Sequence, residues 1–293
     1  MKKYLFLIWA VASLWACNKE DWPDNSIPER NWFLPDEGAT DETSMLRREF
    51  YERNGVYLFF SDTLGVREKT SLAGNTVYEW QILGYDMLTS AVSYDSVVYH
   101  PYMDYAEQKA AARFLEESVF PEIASEFWSN GVLLYQQVQF FKYSWWPEGF
   151  DDPVDLYSQP MLQAMIFAVG DVAHASAEEK ARLKNTLLQA MVLDKAALLP
   201  AEELEPFFNY SKDYYDLNGY LIPDKQAVGL LVKIGDYLSA TSKDYDLAAF
   251  IERIFLLPKA EFYVTFADYP LVIKKMEVLV EVLQKHGVKI YME

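Results

Sequence analysis

The chain holds one cysteine, Cys17, among 293 residues. A disulfide needs two thiols, so no internal cross-link can staple this chain, and its stability must come from a packed core. Core material is ample: 51% of the residues are hydrophobic and 16% aromatic, which is not the composition of a disordered chain. Cys17 also closes a distinctive N-terminal stretch. Met1-Lys2-Lys3 is basic, and Tyr4 to Ala16 is apolar apart from Ser13. Thirteen apolar-region residues match the apolar run of a secretory signal, about 7–15 residues, and fall short of the ~20 that a membrane-spanning helix needs.

Leu14-Trp15-Ala16-Cys17 resembles a lipobox, in which the cysteine becomes the lipidated N-terminus; Trp15 is bulkier than the usual residue there. The expectation is a signal peptide over 1–16, lipidation of Cys17, a tether over 17–41 and a folded domain over 42–293. A plain cleavable signal with a chance cysteine is the competing reading. Pro23, Pro28, Pro35 and Gly38 make the tether extended rather than helical. Its opening residues, Asn18-Lys19-Glu20-Asp21, resemble the lysine-plus-acids export signal of surface lipoproteins in glycan-importing Gram-negative bacteria. Loss of Lys2 and Lys3 with the signal takes the formal charge from −18 to −20. Such a surface repels nucleic acid and anionic headgroups, so lipid is the expected membrane contact and nucleic acid is not an expected partner.

Within the domain, Thr43–Asn54 reads as a helix stopped by Asn54-Gly55, followed by a strand over Val56–Phe60 and another over Val77–Leu83. Asp104–Trp128 is a helix interrupted at Pro121. Val132–Phe141 and Gln163–Val169 read as strands. Ser176-Ala177-Glu178-Glu179 is a capping box for a helix to about Leu199. Helices follow over Asp224–Leu238, Leu247–Leu257 and Pro270–Lys285, with Gly287 as the last cap. Strands early and helices late predict an α+β domain.

Catalytic signals are sparse. His100, His174 and His286 are the only histidines and share no ligand spacing, so a zinc site would need all three to converge or acids to fill in. No GxSxG elbow and no phosphate-cradling glycine loop is present. Acids abound, so a carboxylate pair for glycoside hydrolysis stays open. Glu202, Glu203 and Glu205 read as a solvated helix start, and Asp151, Asp152 and Asp155 lack the alternate-position spacing of a calcium loop. No cofactor is expected. The most unusual segment is Tyr143-Ser144-Trp145-Trp146-Pro147-Glu148-Gly149-Phe150-Asp151-Asp152. Aromatic faces beside carboxylates in a loop suit sugar rings or protein partners. The alternative is that Trp145 and Trp146 close the core beneath a loop.

The lipoprotein start, the early helix and strand, and the C-terminal third resemble a family of surface lipoproteins encoded with Sus-type nutrient importers, zinc metallohydrolases of zincin type. Asp246-Leu247-Ala248-Ala249-Phe250 and Tyr269-Pro270-Leu271-Val272, leading to Gly287-Val288, carry the likeness. The resemblance implies a zincin-like single domain, with N-terminal strands and a helical C-terminal half. That family places HExxH on its central helix. The best register puts Gln189-Ala190-Met191-Val192-Leu193 on that motif, so Gln189, Ala190 and Leu193 stand where ligands and base would be, and Ala249 where a later glutamate would be. The implied role is a non-catalytic accessory at the outer membrane, docking on a Sus-type transporter or its companion surface lipoproteins and holding glycan or peptide. Tyr143, Trp145, Trp146 and Phe150 are the candidate contacts. The alternative is a hydrolase, glycosidase or peptidase, working through an unrecognised carboxylate site.

Overall fold

The computed structural model describes residues 31–71, 73–84, 95–145, 148–161, 163–217, 219–231 and 242–292. The expected signal peptide and Cys17 lie outside them. Helix α1 (Glu42–Asn54) starts where the Asp41 carboxylate accepts the Ser44 amide proton at 2.8 Å, and it stops at Gly55, whose φ of 69° is the left-handed conformation glycine tolerates. Four strands follow: β1 (Tyr57–Phe59), β2 (Thr63–Thr70), β3 (Thr76–Ile82) and β4 (Ser96–His100). Helix α2 (Tyr105–Phe114) runs on through a π turn, Leu115–Val119, and a 3-10 turn at Pro121, which has no N–H to extend a helix. Next come β5 (Gly131–Tyr135), β6 (Gln137–Phe141), β7 (Tyr143–Trp145), β8 (Glu148–Phe150), β9 (Val154–Asp155), β10 (Ser158–Pro160) and β11 (Met165–Ala168). Helices close the chain: α3 (Ala177–Lys195), α4 (Ala201–Asn209), α5 (Lys243–Leu256), α6 (Lys259–Thr265) and α7 (Pro270–Lys285). With 48% helix and 19% strand, the domain is mixed α+β.

Alternation along the central strands sorts the core into two layers. β1, β5 and β11 run parallel, and β10 pairs antiparallel to β11 at the edge. Leu58, Val132, Leu134, Met165 and Phe167 point into the larger cluster, which they share with the helices. Phe59, Leu133, Tyr135, Ile166 and Ala168 point the other way, where Val97, Tyr99 and Val138 of the small sheet β4-β6-β9 cover them. Burial on both faces explains why these strands are continuous apolar runs.

Several expectations change. The folded unit begins at Phe33 rather than residue 42, because the Phe33 ring packs 5.1 Å from Tyr57 and its carbonyl accepts a bond from Arg47. The expected strand Val132–Phe141 is two strands in two sheets. It breaks at Gln136, whose amide donates to the His100 carbonyl and whose carbonyl accepts from Gly170. The aromatic loop after Phe141 is a hairpin. The helix expected from Asp224 is only a 3-10 turn, Gln226–Val228, ended by Gly229 at φ 78°; its continuation lies outside the described residues.

α3 carries the capping box in full: Ser176 Oγ accepts from the Glu179 amide at 3.2 Å, and the Glu179 carboxylate accepts from the Ser176 amide at 2.8 Å. Ser176→Ala is therefore expected to lower stability by about 1 kcal/mol, read as a lower urea midpoint at unchanged slope.

Candidate functional site

α3 presents Leu187, Leu188, Met191 and Val192 to the core, all buried. Gln189, Ala190 and Leu193 are half-buried beside them, and Ala249 on α5 is sealed. Leu193 lines a groove of about 820 Å3 bounded by α3, α4 and α5, whose floor includes Leu199, Leu204, Phe208 and Leu247. Glu202, Glu205, Asp244, Lys212 and Lys243 also line this groove, so it mixes apolar and charged groups, while Leu193 itself supplies no metal ligand.

The histidines do not converge. His100 on β4 meets Gln139, His174 before α3 meets Asp171, and His286 after α7 meets Glu203. Among the described residues no three histidine, aspartate or glutamate side chains stand together in a way that would hold a metal ion. Asp155 is engaged by Gln137 at 2.9 Å. Glu203, expected to be merely solvated, accepts from Lys285 at 2.7 Å and from His286. The hydrogen bond from Lys285 holds its carboxyl below the usual glutamate range.

Of the sequence-predicted aromatic contacts, the side chains of Tyr143 and Phe150 are described and those of Trp145 and Trp146 are not. β7 and β8 pair Tyr143 with Phe150, Ser144 with Gly149 and Trp145 with Glu148. Trp146 and Pro147 lie outside the described residues. Phe150 is 56% exposed and stands edge-on to Tyr143 at 5.4 Å and to Phe141 at 6.4 Å. Phe141 ends β6, and strand alternation puts it on the face of Gln137 and Gln139, away from buried Val138. Opposite them stand His100, Val98 and Ser96 of β4 and Asp155 of β9. The outer face of this sheet therefore carries an amide, imidazole and carboxylate ladder leading into three aromatic rings. Sequence reasoning found the aromatics; it missed Gln137 and Gln139, although their alternation with Val138 was the available signal.

A second constellation went unread. Lys275 of α7 is fully buried, and its Nζ donates to Asp246 Oδ2 at 2.5 Å, Ser211 Oγ at 3.0 Å and Tyr215 Oη at 3.3 Å. Tyr215 Oη donates to the same Asp246 oxygen at 2.6 Å. The ammonium also lies 4.4 Å from the Phe207 ring centre and 5.0 Å from that of Phe250. Burial pushes the Asp246 carboxyl up and the Lys275 ammonium down, while their mutual attraction opposes both shifts. Burial and the adjacent carboxylate push the Tyr215 phenol up. Asp246 is sealed from solvent, which makes this network a tie between α5, α7 and the 211–215 turn. Its signal was a lysine inside the apolar stripe Val272, Met276 and Leu279.

Neither protein-family models, nor curated proteins, nor solved structures give a match to this chain.

Proposed function

We propose that this chain is a non-catalytic surface lipoprotein, zincin-like in fold, that holds glycan for a Sus-type outer-membrane importer. The observation that carries the binding role is the outer face of β4-β6-β9. Exposed aromatic edges beside amide and carboxylate groups match the apolar faces and hydroxyls of sugar rings. Support for the loss of catalysis is the buried apolar face of α3, Leu187, Leu188, Met191 and Val192, at the register of the resembled metal motif. Asp246, whose carboxyl burial pushes upward, is bonded to Lys275 and sealed from solvent. Support for zincin likeness is topological: the helix in register with the resembled metal helix packs against the antiparallel edge strand β10. The lipobox and the acidic tether support the location and the transporter partner.

Two measurements test this. Pull-down from native membranes through a tag on this chain is expected to recover a Sus-type transporter. Titration with a panel of neutral oligosaccharides is expected to find a ligand. Phe150→Ala is expected to weaken its binding about tenfold and Gln139→Ala about fivefold, the loss of a stacking contact and of one hydrogen bond. Thermal unfolding is expected to be unchanged by Phe150→Ala, since that ring is more exposed than buried. A chain that purifies alone and binds no saccharide would sink the reading. Turnover of a glycan or peptide, lost on mutating one acid, would replace it with the hydrolase.

A further inference from the structure

The β2–β3 hairpin carries an apolar stripe on one face. Register pairs Val66 with Trp80, Glu68 with Tyr78 and Thr63 with Ile82, so Val66, Tyr78, Trp80 and Ile82 share that face. All four are open to solvent: Tyr78 and Trp80 at 63%, Ile82 at 59% and Val66 at 41%. The two strands pair only with each other among the described residues. A two-stranded ribbon with such a face is marginal in water by itself. A contiguous exposed patch of large apolar groups marks a contact surface.

The stripe is small. At roughly 150–250 Å2 per aromatic ring, and at the exposures above, it offers on the order of 400 Å2. A standard protein interface needs about 800 Å2 per partner, so a second copy or a free protein would be held poorly by this face. A surface that is already close is a different matter. If Cys17 carries lipid, fifteen residues, 18–32, separate it from Phe33, the first residue of the folded unit. Fully extended, they reach at most about 55 Å. A tether of that length supplies a millimolar effective concentration, at which a weak contact is occupied. Tryptophan and tyrosine are the residues that favour the membrane–water boundary, with the ring in the headgroup layer and the polar edge wet. The formal charge of −18 disfavours anionic headgroups, so attraction has to come from the apolar stripe rather than from charge.

We infer that the Tyr78–Trp80–Ile82 stripe, with Val66, docks the domain on the lipid surface that holds its anchor, contacting uncharged or zwitterionic lipid. The inference rests on the anchoring reading for its biology, yet its test does not. The chain from residue 18 onward, which keeps the whole folded unit and has neither the apolar N-terminal run nor an acyl group, is mixed with phosphatidylcholine vesicles at millimolar lipid and sedimented. It is expected to partition measurably, with little change between low and high salt, and less well when anionic lipid is added. Changing Tyr78, Trp80 and Ile82 together to Thr keeps strand propensity and is expected to reduce partitioning at least tenfold. Trp80→Phe, which preserves an apolar ring, is expected to retain most of it.

Absence of partitioning at ten millimolar lipid would overturn the proposal, as would partitioning unchanged in the triple variant. A chain that dimerises through Trp80 and ignores vesicles would show the occupant to be a second copy, and would overturn it equally. Palmitate labelling of Cys17 in the wild type, absent from Cys17→Ala, tests the anchor separately, so the two failures are distinguishable.

Discussion

Lys275→Ala is expected to destabilise the protein by about 3–5 kcal/mol, the loss typical of breaking one side of a buried ion pair. The substitution leaves the Asp246 carboxylate buried without its ammonium partner, with the Tyr215 hydroxyl still donating to it. Urea unfolding followed by circular dichroism checks it. Lys275→Met with Asp246→Leu removes both charges and is expected to recover most of the loss, because the pair's attraction is largely offset by its desolvation. The sign of the pH dependence of Lys275→Met follows from the same logic. Without the ammonium, burial holds the Asp246 carboxyl further above its ordinary value of 3.8, so the folded state binds a proton that the unfolded state has released. Stability of this variant is greatest in acid and falls as the pH rises above about 4. A Lys275→Ala protein as stable as wild type would show that the pair ties nothing together.

Leu187→Ala is expected to cost about 3–4 kcal/mol, since the side chain is fully buried and its removal leaves a cavity as well as a lost transfer term. Gln189→Ala, two residues on and half-buried, is expected to shift stability by about 0.5 kcal/mol or less. The contrast tests which side of α3 is structural. A loss below about 1 kcal/mol at Leu187 would mean that the inward face of this helix does not hold the domain. The same face bears on function. A helix whose core side is built of Leu187, Leu188, Met191 and Val192 is held by packing and has no need of an ion to satisfy buried ligands.

The parts of the fold legible in the sequence are those governed by neighbours along the chain. α7 spans Pro270–Lys285, the expected bounds, because proline opens a helix and Gly287, at φ 79°, ends it. The Ser176 box announces α3, and Asn54-Gly55 stops α1. The aromatic half of the candidate site was legible too, since Tyr143 and Phe150 stand out in composition. Its geometry was not. A loop and a hairpin differ in cross-strand pairing, and the sequence Trp145-Trp146-Pro147-Glu148 contains none of the glycine or asparagine signals that announce a hairpin. The buried lysine was visible as an anomaly in an apolar stripe, but its partner lies 29 residues away, at a separation no local pattern specifies.

The sequence by itself determined that no disulfide holds this chain, that its surface is strongly acidic, and where the capped helices begin and end. These follow from covalent chemistry, net charge and hydrogen bonds within one turn. Tertiary structure alone decided which apolar segments are covered. Leu58 and Phe59 in β1 are buried on both faces, whereas Tyr78, Trp80 and Ile82 in β3 face solvent, although both strands are rich in aromatic and aliphatic residues. The difference lies in what packs over them. β1 sits between a helical layer and a second sheet, β3 pairs only with β2 among the described residues, and burial is a property of the segments that arrive from elsewhere in the chain.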